Sequence, residues 1–182
     1  MSRTKRGRRQ VMLLGISVLA SALARPAIAV GRSGDLRRLS FRNLHTGESL
    51  DTVYWADGAY VADALKRIDT VLRDFRTGDV HPIDRRLLDL LARLRQKLGT
   101  SEPVHVISGY RSPRTNAMLH ANSEGVASHS LHMEGMAIDI RVPGRALRDV
   151  RAAALDLQGG GVGYYPASDF VHVDVGRVRR WN

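Results

Sequence analysis

Apolar residues recur along the chain with two different periods, and these periods predict the order of helices and strands. Near the N-terminus, apolar and polar positions alternate on both sides of an HTGE turn, which predicts a hairpin over residues 36–55. Apolar steps of three and four residues then predict helices over 61–75, 84–98 and 145–157. The first two of these helices are expected to form core scaffold.

The second half of the chain is richer in β-type patterns. Runs of β-branched residues and strict alternation predict strands over 104–110, 136–142 and 169–176, with a short helix at 115–119. The segment GGGVG (159–163) is expected to be a loop. Since the first helices precede these strands, the sequence predicts one α+β domain, with a central antiparallel β-sheet on which the N-terminal helices pack.

Residues 1–29 have the composition of a cleaved export signal. A basic stretch is followed by fourteen mostly apolar residues, Val11–Ala24, and then by Ala27 and Ala29 in an A-x-A cleavage pattern. The apolar run is shorter than the roughly 20 residues that span a bilayer. Arg8-Arg9 resembles a twin-arginine signal, and a Sec signal fits as well. We therefore expect a domain of residues 30–182 in the periplasm or cell envelope, without stable membrane insertion.

Removal of this signal changes the charge balance. The whole chain carries 28 basic and 18 acidic residues, a net charge of +10, but residues 1–29 hold six of the bases and no acid. The remainder has 22 bases against 18 acids, or +4. A mild positive charge suits an anionic cell-wall surface. No basic stripe interleaved with aromatic residues indicates a nucleic-acid partner.

Two of the predicted strands carry ionisable groups on one face. In MAIDIRV, Asp139 points away from the aliphatic side chains, and in FVHVDVG, His172 and Asp174 do the same. A buried charge must be paired or bound to a metal, so the two polar faces are expected to meet. A turn at Gly135 is expected to bring His132 over Asp139.

These residues have the composition of a metal site. The chain has no cysteine, which excludes disulfides and thiolate ligands, so a metal must be bound by nitrogen and oxygen. Three protein ligands, His132, Asp139 and His172, with one open position follow the plan of a catalytic zinc site. His129 is expected at the rim of the site. The other histidines are expected to be ordinary surface or core residues: His45, His81, His105 and His120.

Five residues in this region give the chain a family resemblance. Ser130, His132, Gly135, Ala137 and Asp139 fill the pattern S-x-H-x-x-G-x-A-x-D. The chain thereby resembles the D-Ala-D-Ala metallopeptidase family, which is related to lysostaphin-type peptidases and hedgehog domains. The segments NLHTGES (43–49) and GGVGYYP (160–166) extend the resemblance to the subgroup that contains murein endopeptidase K.

The resemblance implies a hedgehog/D,D-peptidase-like α+β fold and an exported peptidase with one Zn²⁺ per chain. His172 fits the family's third metal ligand, and Arg111 in ISGYRS matches the position of a substrate-binding arginine with a catalytic role. Two carboxylates are candidates for the general base. Many relatives carry it three residues before the last histidine, here Asp169, whereas strand alternation favours Asp174. The alternative role of Asp174 is to orient His172.

The function expected from this resemblance is hydrolysis of the peptide cross-links of peptidoglycan by a monomeric murein endopeptidase that binds stem peptides. A zinc D,D-carboxypeptidase that trims stem peptides is an alternative. A catalytically inactive peptidoglycan-binding module is another. A basic surface protein that binds anionic polymers would explain the charge, but it would not explain the paired His and Asp strands.

Overall fold

A computed structural model of the protein describes Met1, residues 35–122 and residues 127–182. Apart from Met1, the predicted export signal lies outside the described residues. In chain order, the elements are β1 (Arg37–Asn43), β2 (Ser49–Ala56), β3 (Ala59–Tyr60), α1 (Ala62–Val71), α2 (Arg85–Lys97), β4 (Val104–Ser108), α3 (Pro113–Asn122), β5 (Ala137–Arg141), α4 (Leu147–Asp156), β6 (Gly161–Tyr165), β7 (Phe170–Asp174) and β8 (Arg179–Trp181). Two 3₁₀ turns cover Leu131–Glu134 and Pro166–Ser168.

The eight strands form one sheet in the order β3-β2-β1-β4-β5-β7-β6-β8. The α+β class is confirmed, but the expectation of an antiparallel sheet needs correction, because two neighbouring pairs are parallel. β1 pairs with β4 in parallel after a connection that contains α1 and α2, and β8 pairs in parallel with β6. The sheet is therefore mixed. Alternation in a sequence indicates which face a side chain takes, but it carries no information on the neighbouring strand.

Side chains from three helices share one apolar core with side chains from the sheet. Ile68 of α1, Leu91 of α2 and Val150 of α4 are fully buried in the same cluster as Ile138 and Val173 of the central strands. The aliphatic faces of β5 and β7 therefore belong to the core, and their polar faces are turned the other way. Among the described residues, no helix combines the length and apolar character that a bilayer span requires.

The predicted elements agree with the structure where the pattern is local. The hairpin and the helix over 84–98 match β1–β2 and α2, which begins after its N-cap, Asp84. The helix expected over 61–75 ends earlier, at Val71. Three strands were missed, the first being the two-residue β3 between the hairpin and α1. The segment expected to be a loop contains β6, and β8 follows the last predicted strand.

The chain that follows α1 is fixed by a buried carboxylate. Asp74 accepts hydrogen bonds from the backbone N–H and the hydroxyl of Ser112, at 2.9 and 2.7 Å, and from the backbone N–H of Arg76. Burial raises the pKa of Asp74, but hydrogen bonds from Thr115, Ser112 and Arg76 outweigh burial and lower the pKa to about 2. Asp74 is therefore ionised, and in this form it anchors the segment that contains Arg111.

The lowered pKa of Asp74 predicts that the free energy of unfolding depends on pH. Because its folded-state pKa lies below the ordinary value, Asp74 contributes stability above about pH 4 that is lost as the pH falls toward 2; the shift corresponds to about 2 kcal/mol. We expect Asp74→Asn to be less stable than the wild type by about this amount at pH 7. The difference should shrink below pH 3. Urea unfolding at both pH values measures it, with the exposed Asp63→Asn as the control; an equal difference at both would contradict the prediction.

Candidate active site

Ionisable residues of neighbouring strands lie in one row on the polar face of the sheet. Asp139 of β5 is the register partner of His172 of β7, and on its other side Asp139 pairs with Ser108 of β4. Asp139 and His172 are both buried. The structure thus brings together the two polar faces, as the alternation of the sequence predicts.

His132 reaches this row from a turn that only glycine can complete. Ser130 precedes the 3₁₀ turn Leu131–Glu134 and accepts a hydrogen bond from the His132 backbone N–H. Gly135 ends the turn at φ 66°, and a Cβ at this position would lie 2.3 Å from the Pro82 carbonyl oxygen. The backbone carbonyl of Gly135 accepts a 3.0 Å bond from Asp84. The turn is therefore fixed against the start of α2.

Three donor atoms converge where His132, Asp139 and His172 meet. His132 Nε2 lies 3.3 Å from Asp139 Oδ1 and 3.2 Å from His172 Nδ1, and His172 Nδ1 lies 2.9 Å from Asp139 Oδ1. Tetrahedral ligands with bonds of about 2.0 Å to zinc are separated by about 3.3 Å. The donor atoms are already spaced as the ligands of one small cation.

The outer nitrogens of both histidines have their own acceptors. His132 Nδ1 bonds to the Gly109 carbonyl oxygen at 2.7 Å, and His172 Nε2 bonds to Asp174 Oδ2 at 3.1 Å. When the outer nitrogens carry the protons, both inner nitrogens present lone pairs to the Asp139 carboxylate. Three facing lone pairs require a positive charge between them, so this donor set fits a metal ion, and its two nitrogens and one oxygen suit zinc.

The same arrangement shifts the pKa values of the three groups. Burial lowers the pKa of His132. Burial also opposes a charge on His172, but its hydrogen bonds to Asp139 and Asp174 outweigh this effect and raise its pKa to about 9. Burial raises the pKa of Asp139, yet contacts with both histidines hold it well below its usual range. The site therefore favours a carboxylate paired with a cationic group.

Arg111 lies beside the three groups with few hydrogen bonds of its own. Its guanidinium is 3.5 Å from Asp139 Oδ2, from Ser108 Oγ and from Asn116 Oδ1, the outer limit for such contacts. Its buried Nε has no hydrogen-bond partner. Burial lowers the pKa of Arg111, and the group remains charged. Arg111 thus presents unused donors to an incoming acceptor.

Asp174 is fully buried, and both of its oxygens are occupied. Oδ1 accepts bonds from the backbone N–H groups of Gly161 and Gly176 and from Arg179, and Oδ2 accepts bonds from Arg179 and His172. Burial raises its pKa, but these donors hold the pKa far below the usual range. The sequence was right that Asp174 shares the face of His172. Its geometry is that of a group that orients His172.

Asp169, the second candidate for the general base, lies outside the cavity that contains His132, Asp139 and His172. It has a left-handed backbone, with φ 52°, and its side chain forms an ion pair with Arg141 at 3.0 Å. Its side chain is 64% exposed and lines a separate surface depression near His105 and Arg141. The residues on either side of it, Ser168 and Phe170, face the site instead. The structure does not bring Asp169 to the three converging groups.

The candidate metal-ligand set, which consists of His132, Asp139 and His172, lies in a cavity of about 510 Å³. The residues around the set are Arg111, Ala127, His129, Ser130, Leu131, Tyr165, Ser168, Phe170, Arg179 and Trp181. His129 is an exposed member of this lining, as the expected rim residue should be. Arg111 supplies positive charge, and aromatic rings supply apolar surface. A cleft with a few polar groups among apolar walls is typical of a ligand-binding site.

The sequence suggested that Tyr165 lines the cleft or packs, but the contribution of Trp181 to the aromatic wall was missed. Gly163 is the register partner of both His172 and Trp181, and a Cβ at Gly163 would lie 2.7 Å from the indole. The Trp181 ring therefore crosses above Gly163 and comes within 5.1 Å of the His172 ring, centre to centre. A glycine opposite a tryptophan in adjacent strands is the signal that could have indicated this contact, had β6 and β8 been recognised as strands.

Comparison with known proteins agrees with this geometry. A family model described as Peptidoglycan L,D-endopeptidase MepK matches residues 32–181. The chain belongs to this family. The Peptidoglycan L,D-endopeptidase MepK of Escherichia coli (strain K12) is 43% identical over 175 residues, which cover 96% of each chain. The Probable peptidoglycan L,D-endopeptidase MepK of Haemophilus influenzae is 41% identical and is covered to 94% of its length. The resemblance inferred from the signature residues is confirmed.

Proposed function

We propose that this protein is a zinc peptidase that hydrolyses peptide cross-links in peptidoglycan. The observation that carries the proposal is the convergence of His132 Nε2, Asp139 Oδ1 and His172 Nδ1 at 2.9–3.3 Å within a cavity. Family membership and the names of the relatives support the same reaction and substrate. Zinc, when bound, supplies Lewis-acid activation of a water molecule and of the scissile carbonyl.

The residues of the chain divide the remaining tasks. His132, Asp139 and His172 hold the metal, and Asp174 orients His172 through its Nε2 proton. Arg111 binds a substrate carboxylate or carbonyl, because its donors are poorly satisfied and it faces the cavity. With these roles, the guanidinium of Arg111, which would bind the peptide, lies 3.5 Å from Asp139, which would bind the metal.

Proton transfer from water to the leaving amine needs a group that faces the cavity. Asp174 has no free lone pair directed there, and Asp169 is paired with Arg141 outside it. We therefore assign Asp174 a positioning role, the alternative that its place in the strand left open. His129, a described lining residue outside the metal-ligand set, offers an imidazole at the cavity for this transfer.

The protein is proposed to act in the periplasm or cell envelope. Residues 1–29 would be removed as a twin-arginine-like or Sec signal, and residues 30–182 would form a monomeric peptidase. The charge pattern of the sequence supports this assignment, as does the substrate named for the relatives.

The test is a digest of intact peptidoglycan by purified residues 30–182, with and without a chelator. We expect cross-linked fragments to disappear, the chelator to stop the reaction, and added Zn²⁺ to restore it. Mass spectrometry of the fragments identifies the cleaved bond. Measurement of zinc per chain by elemental analysis checks the metal independently of activity.

Three other outcomes would contradict the proposal in different ways. Release of free alanine alone would indicate a carboxypeptidase. Zinc binding at one ion per chain without any cleavage would indicate a peptidoglycan-binding module. Cleavage that persists unchanged in a chelator, with no bound metal, would refute the assignment of His132, Asp139 and His172 as zinc ligands.

A further inference from the structure

The hydroxyl group of Tyr165 is held in a defined orientation at the cavity. Trp181 Nε1 donates a hydrogen bond to this oxygen at 2.8 Å. The hydrogen bonds of the described residues include no acceptor for the Tyr165 hydroxyl proton. Because the indole N–H can only donate, it occupies a lone pair of the oxygen and leaves the tyrosine proton free to be donated elsewhere. Tyr165 and Trp181 both line the cavity that contains the metal ligands.

The ring of Tyr165 is also fixed. It stacks on Phe170, with ring centres 4.5 Å apart and planes 20° apart, and the two residues are register partners in β6 and β7. Trp181 is fixed in turn by its place above Gly163, where no side chain competes for the space. The Arg179 guanidinium also lies 4.9 Å from its ring centre, within the range of a cation–π contact. Because its ring is held in place, the Tyr165 hydroxyl needs little reorganisation to stabilise charge that develops nearby.

We propose that Tyr165 is a catalytic residue whose hydroxyl, oriented by Trp181, donates a hydrogen bond to the carbonyl oxygen of the scissile peptide bond. This inference rests on the proposed peptidase function. During hydrolysis the oxygen of water bonds to the carbonyl carbon, the C–N bond breaks, and a proton passes to the leaving amine. The Tyr165 proton stays on tyrosine, and its hydrogen bond strengthens as negative charge grows on the carbonyl oxygen.

Trp181 has a positioning role in this arrangement. Its ring lies between Tyr165, which it contacts through Nε1, and His172, whose ring centre is 5.1 Å away. It therefore sets the distance between the proposed donor and the metal ligand. The neighbouring Tyr164 provides a contrast, because it packs against the apolar core on the other face of β6 with its ring 4.8 Å from the Arg151 guanidinium.

The test compares Tyr165→Phe with Tyr164→Phe in the zinc-loaded protein, with a cross-linked muropeptide dimer as substrate. Phenylalanine keeps the stacking on Phe170 and removes only the hydroxyl. We expect Tyr165→Phe to lower kcat on the order of 10²-fold, as for loss of one donor to a developing oxyanion. KM should stay within about twofold, since the bond is made mainly in the transition state. Tyr164→Phe should retain wild-type kinetics.

Substrate binding can be followed without turnover through Trp181 itself. The sequence contains two tryptophans, and Trp55 lies in β2, so a Trp55→Phe background leaves Trp181 as the reporter of the cavity. In chelated protein, the muropeptide should change the Trp181 fluorescence with the same Kd whether residue 165 is Tyr or Phe. Trp181→Phe keeps an aromatic ring without the N–H, and we expect it to lower kcat less than Tyr165→Phe does.

Each result has a defined meaning. Loss of kcat with unchanged Kd and unchanged thermal unfolding supports the proposal. Wild-type turnover in Tyr165→Phe overturns it, and so does an equal loss of kcat/KM and of binding, which would make the hydroxyl a substrate-binding group. A zinc-loaded wild type that cleaves no cross-link refutes the peptidase function and the Tyr165 role together, whereas an active wild type with an active Tyr165→Phe refutes the latter alone.

Discussion

Replacement of Asp139 by asparagine is expected to weaken zinc binding by at least about 10²-fold and to lower peptidase activity with it. Asparagine keeps the shape of the side chain but removes the negative charge that faces His132, His172 and Arg111. Breaking a buried pair of this kind costs about 3–5 kcal/mol, and a loss of this size corresponds to roughly 10²- to 4 × 10³-fold in zinc affinity. Arg111, only 8% exposed, would also lose the negative charge beside it, and this weakens zinc binding further.

Competition with a chromophoric chelator measures the zinc affinity, and the muropeptide assay measures turnover. Glu134→Gln is the matched control, because it removes an exposed carboxylate from the 3₁₀ turn that carries His132. Glu134→Gln should bind zinc like the wild type. An Asp139→Asn protein with undiminished zinc affinity would show that the carboxylate is not a ligand.

Asp174→Asn is expected to have the second-largest effect, and on a different quantity. The substitution turns one oxygen that accepts bonds from His172 and Arg179 into an amide that donates. Arg179 then loses its buried counterion. The new amide N–H group also faces the N–H donors of His172 and Arg179. We expect the free energy of unfolding of the metal-free protein to fall by about 3–5 kcal/mol. Zinc affinity should fall by about 10- to 100-fold, because His172 is no longer held in its ligand orientation.

Urea unfolding in the presence of a chelator measures the first effect, and chelator competition measures the second. Asp169→Asn is the control, since that carboxylate is mostly exposed and pairs with Arg141; its stability and its zinc affinity should stay close to wild type. If Asp174 were the general base, Asp174→Asn would instead lose turnover while stability and zinc affinity remained unchanged. These two patterns separate a positioning role from a proton-transfer role.

Several parts of the site follow from local sequence patterns. The period of two in MAIDIRV and FVHVDVG places Asp139 and His172 on the polar faces of their strands, and the register Asp139–His172 joins them. Gly135 was expected to allow a turn, and its φ of 66° and contact with Pro82 explain why no larger residue fits. Such features depend on a few adjacent residues, so the sequence contains the information needed to predict them.

Other parts depend on contacts between distant segments. The glycines of GGGVG have no side-chain pattern, yet β6 forms there because β7 and β8 supply partners on both sides. Alternation gave the face of Asp174, but it could not show that Gly161, Gly176 and Arg179 would occupy its oxygens. The outward position of Asp169 depends on its own left-handed backbone and on its ion pair with Arg141, which belongs to β5.

The two outermost strands of the sheet are also its shortest. β3 has two residues and β8 has three, and β8 contributes Arg179 and Arg180 at the boundary. Unpaired backbone groups on a sheet edge can recruit a strand from another molecule, and short, charged edges oppose this. The eight-stranded sheet therefore offers little template for edge-to-edge aggregation.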